Sequence, residues 1–432
     1  MSDNKGCKVP PAPDSETGLA ALRELFGPYN LIGALSAMHR HLGYIFRLSL
    51  PGFSPIFLSG PDATHFALVE ERARLHWRNE ADPVTSLLRH GLLVEDGEAH
   101  DSLRRKVMPA LHRQQVSAYI DKMWHRTNQV IDAWEPGDTY DMLVEMRRLA
   151  LLIVMDTLFD VDMTPDLDLL FPAILDMLKF ISPGLWLLGA PRRQYGASIA
   201  ALNNYLYRLI RDRRAHPSKG GDLLSQLIAG GMDDDLIRDQ MLTLLIAGHD
   251  TSTALLAWSL YLVGRYPQVR PYLEKEIANF SQETPPTPEQ IESLVYCKQV
   301  IDETLRLYPP IHVGNRLSAE DLSFCGYDIP KGSRVMVSIY ATHHDDAQWP
   351  KPERFDPDRF APGNLHVPYS YLPFGGGPRN CIGANFAQVE ARVILARLFQ
   401  RYELTLTRQR VHVHMGATLE PRPGVLMQVS QR

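Results

Sequence analysis

A chain of 432 residues, 45% hydrophobic and 22% charged, has the composition of an ordinary globular protein with ample material for a large core. Its net charge of −5 gives no general reason to expect nucleic acid or an anionic membrane as partner. Four scattered cysteines, Cys7, Cys297, Cys325 and Cys381, include no Cys-x-x-Cys pair, which argues against a zinc site or a disulfide scaffold and fits a reducing cytoplasm.

The polar N-terminus runs into Pro10-Pro11-Ala12-Pro13 without a signal-peptide core or membrane anchor, and residues 1–16 are expected to be a disordered tail. A helix is predicted from about Thr17 to Leu25. Tyr44–Leu50, the turn Pro51-Gly52-Phe53-Ser54 and Pro55–Ser59 read as a β-hairpin. Helical periodicity dominates from about Pro61 to Gly264, with breaks near Glu135-Pro136-Gly137, Ser182-Pro183-Gly184 and Pro217–Gly221. The apolar runs Leu149–Phe159 and Met241–Val263 are interrupted by Asp156 and by His249-Asp250, so a soluble, cytoplasmic protein is expected. From about Ser318 short strands and turns take over. The pattern predicts a mainly α fold with small β portions (α+β), in one domain over 17–432.

One helix is predicted from Asp235 to about Gly264, about 45 Å long and apolar on most faces, as a helix crossing a core must be. Ala247-Gly248-His249-Asp250-Thr251-Ser252 interrupts it with small, acidic and hydroxyl residues, which are costly there unless they serve something. The alternative is structural: a Thr hydroxyl bonded back to the preceding turn would merely bend the helix. Glu303 and Arg306, at i,i+3, share a helix face. His100 and Arg104 do so at i,i+4.

The stretch Phe374-Gly375-Gly376-Gly377-Pro378-Arg379-Asn380-Cys381-Ile382-Gly383 places a lone cysteine in a glycine-rich loop ahead of a helix-forming run. A helix N-terminus favours a thiolate, and a thiolate presented by bare backbone is a ligand for a soft metal centre. Three glycines let the chain lie against something flat, and Arg379 could pair with an anionic group on the same ligand.

The complete spacing Phe-x-x-Gly-x-Arg-x-Cys-x-Gly resembles the haem-ligand loop of the cytochrome P-450 family, in a soluble bacterial-type member. The resemblance runs from about His100 to Gly424, with motifs in family order. It implies haem b (iron protoporphyrin IX) on Cys381, with Phe374 and Gly383 framing the loop and Ala247 and Gly248 leaving room for dioxygen. Thr251 would hold the reduced oxygen or its water, and Asp250 would relay protons. His249 occupies a variable position and receives no role. Glu303 and Arg306, followed by Leu307-Tyr308-Pro309-Pro310, match the family's Glu-x-x-Arg helix. Arg359, in Phe355-Asp356-Pro357-Asp358-Arg359-Phe360, completes that brace behind the haem. His100, Arg104, Arg316 and Arg379 match partners of the haem propionates. His343-His344-Asp345-Asp346 reads as a solvated loop rather than a metal site, because adjacent side chains diverge.

The implied activity is hydroxylation or epoxidation of a lipophilic molecule (fatty acid, terpenoid, steroid or polyketide) with O2. Family geometry puts the pocket at Val84, Leu87, Leu88, Leu92, Leu244, Ala247, Ile311 to Val313 and Leu419, with His312 either orienting a polar end or facing solvent. No flavin or nicotinamide fingerprint is present, so a separate ferredoxin or flavodoxin, with its reductase, is expected to supply electrons to a monomer. It would dock on a positive face made by Arg104, Arg105, Lys106, His112, Arg113, Arg392, Arg397 and Arg401. Arg379, where soluble bacterial members often carry histidine, resembles self-sufficient and microsomal members and leaves the type of partner open. Two alternatives stand beside this reading. One is a peroxide-using or hydroperoxide-isomerising enzyme, disfavoured by Asp250-Thr251; the other is a non-catalytic haem-thiolate sensor or electron carrier.

Overall fold

The computed structural model describes residues 8–27, 29–49, 53–182, 192–218 and 221–432. The chain groups into two compact units. The first comprises Met1–Asp82, Arg306–Arg354 and Gly363–Cys381; the second comprises Pro83–Leu305, Phe355–Pro362 and Ile382–Arg432.

The first unit carries a five-stranded sheet in the order Ile45–Arg47, Ile56–Leu58, Arg334–Ser338, Val313–Ser318, Leu75–His76. The expected hairpin is present, with Ile45 opposite Leu58 and Arg47 opposite Ile56. Residues 50–52 of its turn lie outside the described residues. One pairing is parallel, Ile56–Leu58 against Val335–Val337, and the rest are antiparallel. Ile45, Ile56, Leu58, Phe66, Leu75, Val335 and Val337 form a core cluster against the sheet, with residues two apart in a strand sharing a face. The helix predicted from Thr17 begins at Ser15, because the Asp14 carboxylate accepts the Thr17 amide at 2.8 Å and caps it. Within the stretch expected as a tail, Lys8 pairs with the Phe324–Tyr327 turn region through Gly326 O and the Asp328 amide, and Pro11 O accepts from Arg47 N. Residues 1–7 lie outside the described residues.

The second unit is mostly helical. Its longest helix runs Asp234–Arg265, one residue beyond the prediction at each end. The Asp233 side chain accepts the Leu236 amide at 2.7 Å, Asp234 and Asp235 occupy the positive end, and Arg265 the negative end. The helix Met142–Phe159 packs along it. Small sheets complete the unit: Thr139–Asp141, Leu426–Gln431 and Tyr402–Leu406 in one, His412–Met415 with Leu419–Arg422 in another. The predicted break at Glu135–Gly137 is present, between the helix Ile120–Ile131 and the strand Thr139–Asp141; those at Pro183-Gly184 and Lys219-Gly220 lie outside the described residues. No helix among the described residues is long and apolar enough to cross a membrane.

Candidate active site

In the first unit, the cysteine loop follows Leu372, which is buried, and none of residues 373–385 is. Gly375 and Gly377 adopt φ of +70° and +65°, the left-handed region that glycine enters without a Cβ penalty. A Cβ on Gly377 would run into the Leu68 carbonyl oxygen, so this position requires glycine twice over. The Cys381 amide donates to Phe374 O at 2.7 Å and the Gly375 amide to Leu372 O at 3.0 Å, folding the loop back on itself. Cys381 is exposed and in no disulfide, and the helix that follows opens at Ala384. Arg379 and Arg316 are half-buried in this unit, and Arg316 Nη1 donates to Asn315 O at 2.7 Å.

In the second unit, the Asp234–Arg265 helix is buried on every face between Ile237 and Leu260 except at Ala247, Gly248 and Thr251. These three fall at i, i+1 and i+4, one strip of surface. The Thr251 hydroxyl donates to Ala247 O at 2.6 Å, so the back-bonded geometry of the structural alternative is present in the uncovered strip. Gly248 keeps the strip thin: a Cβ there would lie 3.0 Å from Val154 Cγ2.

Asp250 points the other way, into a network the sequence did not announce. Its Oδ2 accepts from the Thr418 hydroxyl at 2.9 Å, and its Oδ1 lies 3.3 Å from Arg147 Nη2, which also binds Glu420. Arg422 holds the other Glu420 oxygen at 2.7 Å. Asp250, Arg147 and Glu420 are all buried. Burial pushes the Asp250 carboxyl up, against Arg147 and Thr418, which pull it down. His249, also buried, is held down to about 3 by burial first and by Arg147 second, so it stays neutral. Ser252 donates to Glu390 at 2.5 Å, and burial without a cation raises Glu390 to about 8. Arg147, Thr418, Glu420 and Glu390 were missed because nothing local marks them. The one available signal was charge inside apolar runs, as at Arg147 in a helix with 14 buried residues.

Other expected site residues are placed as follows. His100 is buried, with Nδ1 2.7 Å from Asp101 Oδ1, and Arg104 is half-buried on the same helix, Gly97–Val107. Glu303 is fully buried, accepts the Asp356 amide at 3.0 Å and pairs with Arg359 Nε at 3.4 Å. Arg306, also fully buried, donates to the carbonyls of His343, Pro352 and Arg354. Leu87, Leu88, Leu92, Leu244 and Leu419 are buried and Val84 half-buried in the second unit; in the first, Ile311 is 42% exposed and Val313 half-buried. Leu419 also gives its carbonyl to Trp258 Nε1. His312 is buried rather than solvent-facing.

Two readings are corrected. His343-His344-Asp345-Asp346 is not a solvated loop: His343 and Asp345 are buried, and Asp345 accepts from Tyr44 Oη at 2.9 Å. The segment turns inward because a short helix, Ile339–His343, carries it there. Nor does the positive face include Arg392 and Arg397. Arg392 is buried and donates to the carbonyls of Gln388 and Ile291, and Arg397 is buried over the Trp124 ring with Asn128 as partner. Long aliphatic stems let arginine serve as core packing while its guanidinium finds carbonyls.

The family model for cytochrome P450 matches residues 24–428. The chain belongs to the cytochrome P450 family. Relatives include the cyclooctat-9-en-7-ol 5-monooxygenase of Streptomyces melanosporofaciens, 32% identical over 75% of this chain and 74% of that one. Cyclooctatin synthase of the same organism is 31% identical over 86% and 84%. Among solved structures, retinoic acid-bound cyanobacterial CYP120A1 superposes with a TM-score of 0.86 at 27% identity, covering 99% of this chain and 100% of that one. The cytochrome P450DA heme domain gives the same score and identity over 99% and 98%. This P450 is a haem-thiolate monooxygenase. Its residues fit the cofactor: an exposed thiol in no disulfide on a glycine loop, and a helix that between Ile237 and Leu260 leaves bare only two of its smallest residues and one hydroxyl.

Proposed function

We propose that this P450 uses haem b to hydroxylate or epoxidise a lipophilic, terpenoid-like molecule, drawing electrons from a separate ferredoxin or flavodoxin and its reductase. The observation that carries the reading is the strip Ala247, Gly248 and Thr251, left uncovered on a helix otherwise buried all round, in a chain whose Cys381 thiol is also uncovered. The names of the Streptomyces relatives support the terpenoid class, and the apolar character of Leu88, Leu244, Ile311, Val313 and Leu419 agrees with such a guest.

When bound, the iron porphyrin supplies reductive activation of O2 and C–H oxidation. Cys381 would hold the metal; Arg316, Arg379, His100 and Arg104 would pair with the porphyrin carboxylates. Ala247 and Gly248 leave room beside the Thr251 hydroxyl. That hydroxyl, now donating to Ala247 O, can turn to hold a proton at the reacting oxygen. The Asp250 carboxyl, held on the opposite side of the helix by Thr418 and Arg147, would resupply the proton as a general acid by turning out of that network. Glu303, Arg306 and Arg359 do no chemistry and brace the scaffold. Loss of the Asp250–Thr251 pair would suit a peroxide-driven enzyme; its presence favours the O2 route.

Electron delivery is assigned to the exposed cations Arg105, Lys106 and Arg113, with half-buried Arg104. Reversing charge at Arg105 and Arg113 should slow reduction about tenfold with substrate affinity unchanged; an unaltered reduction rate removes this surface from the proposal. The function itself is tested by screening lipophilic compounds for a spin-state change in the haem-loaded protein. Terpenoids should produce it and then consume O2 with product formed. A protein that shows neither with any lipophilic class is not the monooxygenase proposed.

A further inference from the structure

The cysteine loop starts from a single buried root. Leu372 is 3% exposed, and the next buried residue in the chain is Phe386. Through the Gly375 amide on Leu372 O and the Cys381 amide on Phe374 O, the position of the sulfur depends on where Leu372 and its neighbours are held. The Leu372 amide donates to His343 Nε2 at 2.9 Å. His343 is fully buried and its ring stacks on Tyr371, centroids 5.4 Å apart.

The ring's other nitrogen, Nδ1, lies 3.2 Å from Arg306 O. An amide N–H cannot accept and a carbonyl cannot donate, so Nε2 carries the lone pair and Nδ1 the proton. Arg306 returns the contact: its Nη1 donates to His343 O at 2.9 Å. Its Nη2 holds Pro352 O at 2.7 Å, and its guanidinium lies over Trp349, whose Nε1 donates to Ser370 O. Every member of this chain of bonds belongs to the first unit, and its geometry fixes His343 on both edges.

We propose that His343 is a positioning residue for Cys381, its neutral ring clamping Leu372 so that the loop presents the sulfur in one geometry. The proposal rests on Cys381 being the haem ligand. It assigns to the first histidine of His343-His344 a role that neither metal binding nor solvation describes.

The test compares His343→Leu, His343→Gln and His343→Asn with wild type as haem-loaded proteins, reading the fraction of the ferrous carbonyl adduct with the red-shifted band of sulfur coordination, the reduction potential, and folding by circular dichroism. Leu removes the acceptor. Gln can place an oxygen near the Nε2 position, whereas Asn is too short to reach Leu372. Expected is a loss of at least half the sulfur-type band in the Leu and Asn variants, with a displaced potential, and recovery to near the wild-type fraction in Gln. A folded Leu variant with the full band and unmoved potential overturns the proposal. Should the Leu variant fail to fold, Gln against Asn decides, and equal behaviour of those two overturns it. A wild-type protein without the sulfur-type band sinks the ligand assignment instead, which keeps the two failures apart.

Discussion

Between Pro373 and Asn385 no residue is buried, whereas between Ile237 and Leu260 all but three are. The loop and the helix therefore make reactive surface in opposite ways. The helix supports itself through its own hydrogen bonds and caps, and the chemistry proposed for it lies where side chains are small. The loop has little packing of its own; its shape comes from left-handed glycines and from anchors elsewhere in its unit. Damage to the helix strip should change catalysis and spare the fold, while damage to the loop should change the ligand geometry first.

The largest effect is expected at the sulfur. Cys381→Ala should abolish both the sulfur-type carbonyl band and turnover, measured by difference spectroscopy and product formation; retention of the band places the ligand elsewhere. On the helix, Thr251→Ala and Asp250→Asn should each lower product formation by about 10²-fold, the low end of general acid–base effects, with O2 uptake continuing and the thermal midpoint of Thr251→Ala little changed. Thr251→Ser should restore most of the yield.

Next comes stability. Glu303→Gln removes the buried carboxylate that pairs with half-buried Arg359 and should cost about 2 kcal/mol by urea denaturation. Glu390 behaves inversely. Its folded carboxyl titrates at about 8 against an ordinary 4.5, so between these values the folded chain binds the extra proton. Stability from this group is complete below pH 4.5 and is lost as pH rises toward 8. Glu390→Gln should therefore stabilise the protein by on the order of 2–3 kcal/mol at pH 7–8 and by nothing at pH 4. A wild-type pH–stability curve with the same slope as the variant's would contradict the neutral acid.

The smallest contrast is between two glycines. Gly377→Ala meets both a positive φ and the Leu68 carbonyl, and should cost about 2 kcal/mol and broaden the haem spectrum. Gly248→Ala meets only a methyl at 3.0 Å and gains about 1 kcal/mol of helix propensity, so its stability should stay within about 1 kcal/mol of wild type. Equal losses at the two positions would erase the distinction between loop and helix.

What could be read from the chain follows the same division. The long helix was legible to within a residue at each end because caps, periodicity and the absence of proline are local signals, and the cysteine loop because its motif is dense. The sharing of Arg147 by Asp250 and Glu420 was not, since Glu420 lies 273 residues away from Arg147 in sequence. The inward turn of His343 and Asp345 was hidden by their polarity, as was the burial of Arg392 and Arg397. Residue type predicts exposure only on average, and these side chains satisfy their donors on carbonyls that tertiary structure alone supplies.

The withdrawal of Arg392 and Arg397 into the interior has a consequence for kinetics in solution. Short-range contact with a donor is then left to the cations that stay at the surface, Arg105, Lys106 and Arg113. If they steer an acidic donor, the second-order rate of reduction should fall steeply as ionic strength rises and the Debye length shortens to about 10 Å or less.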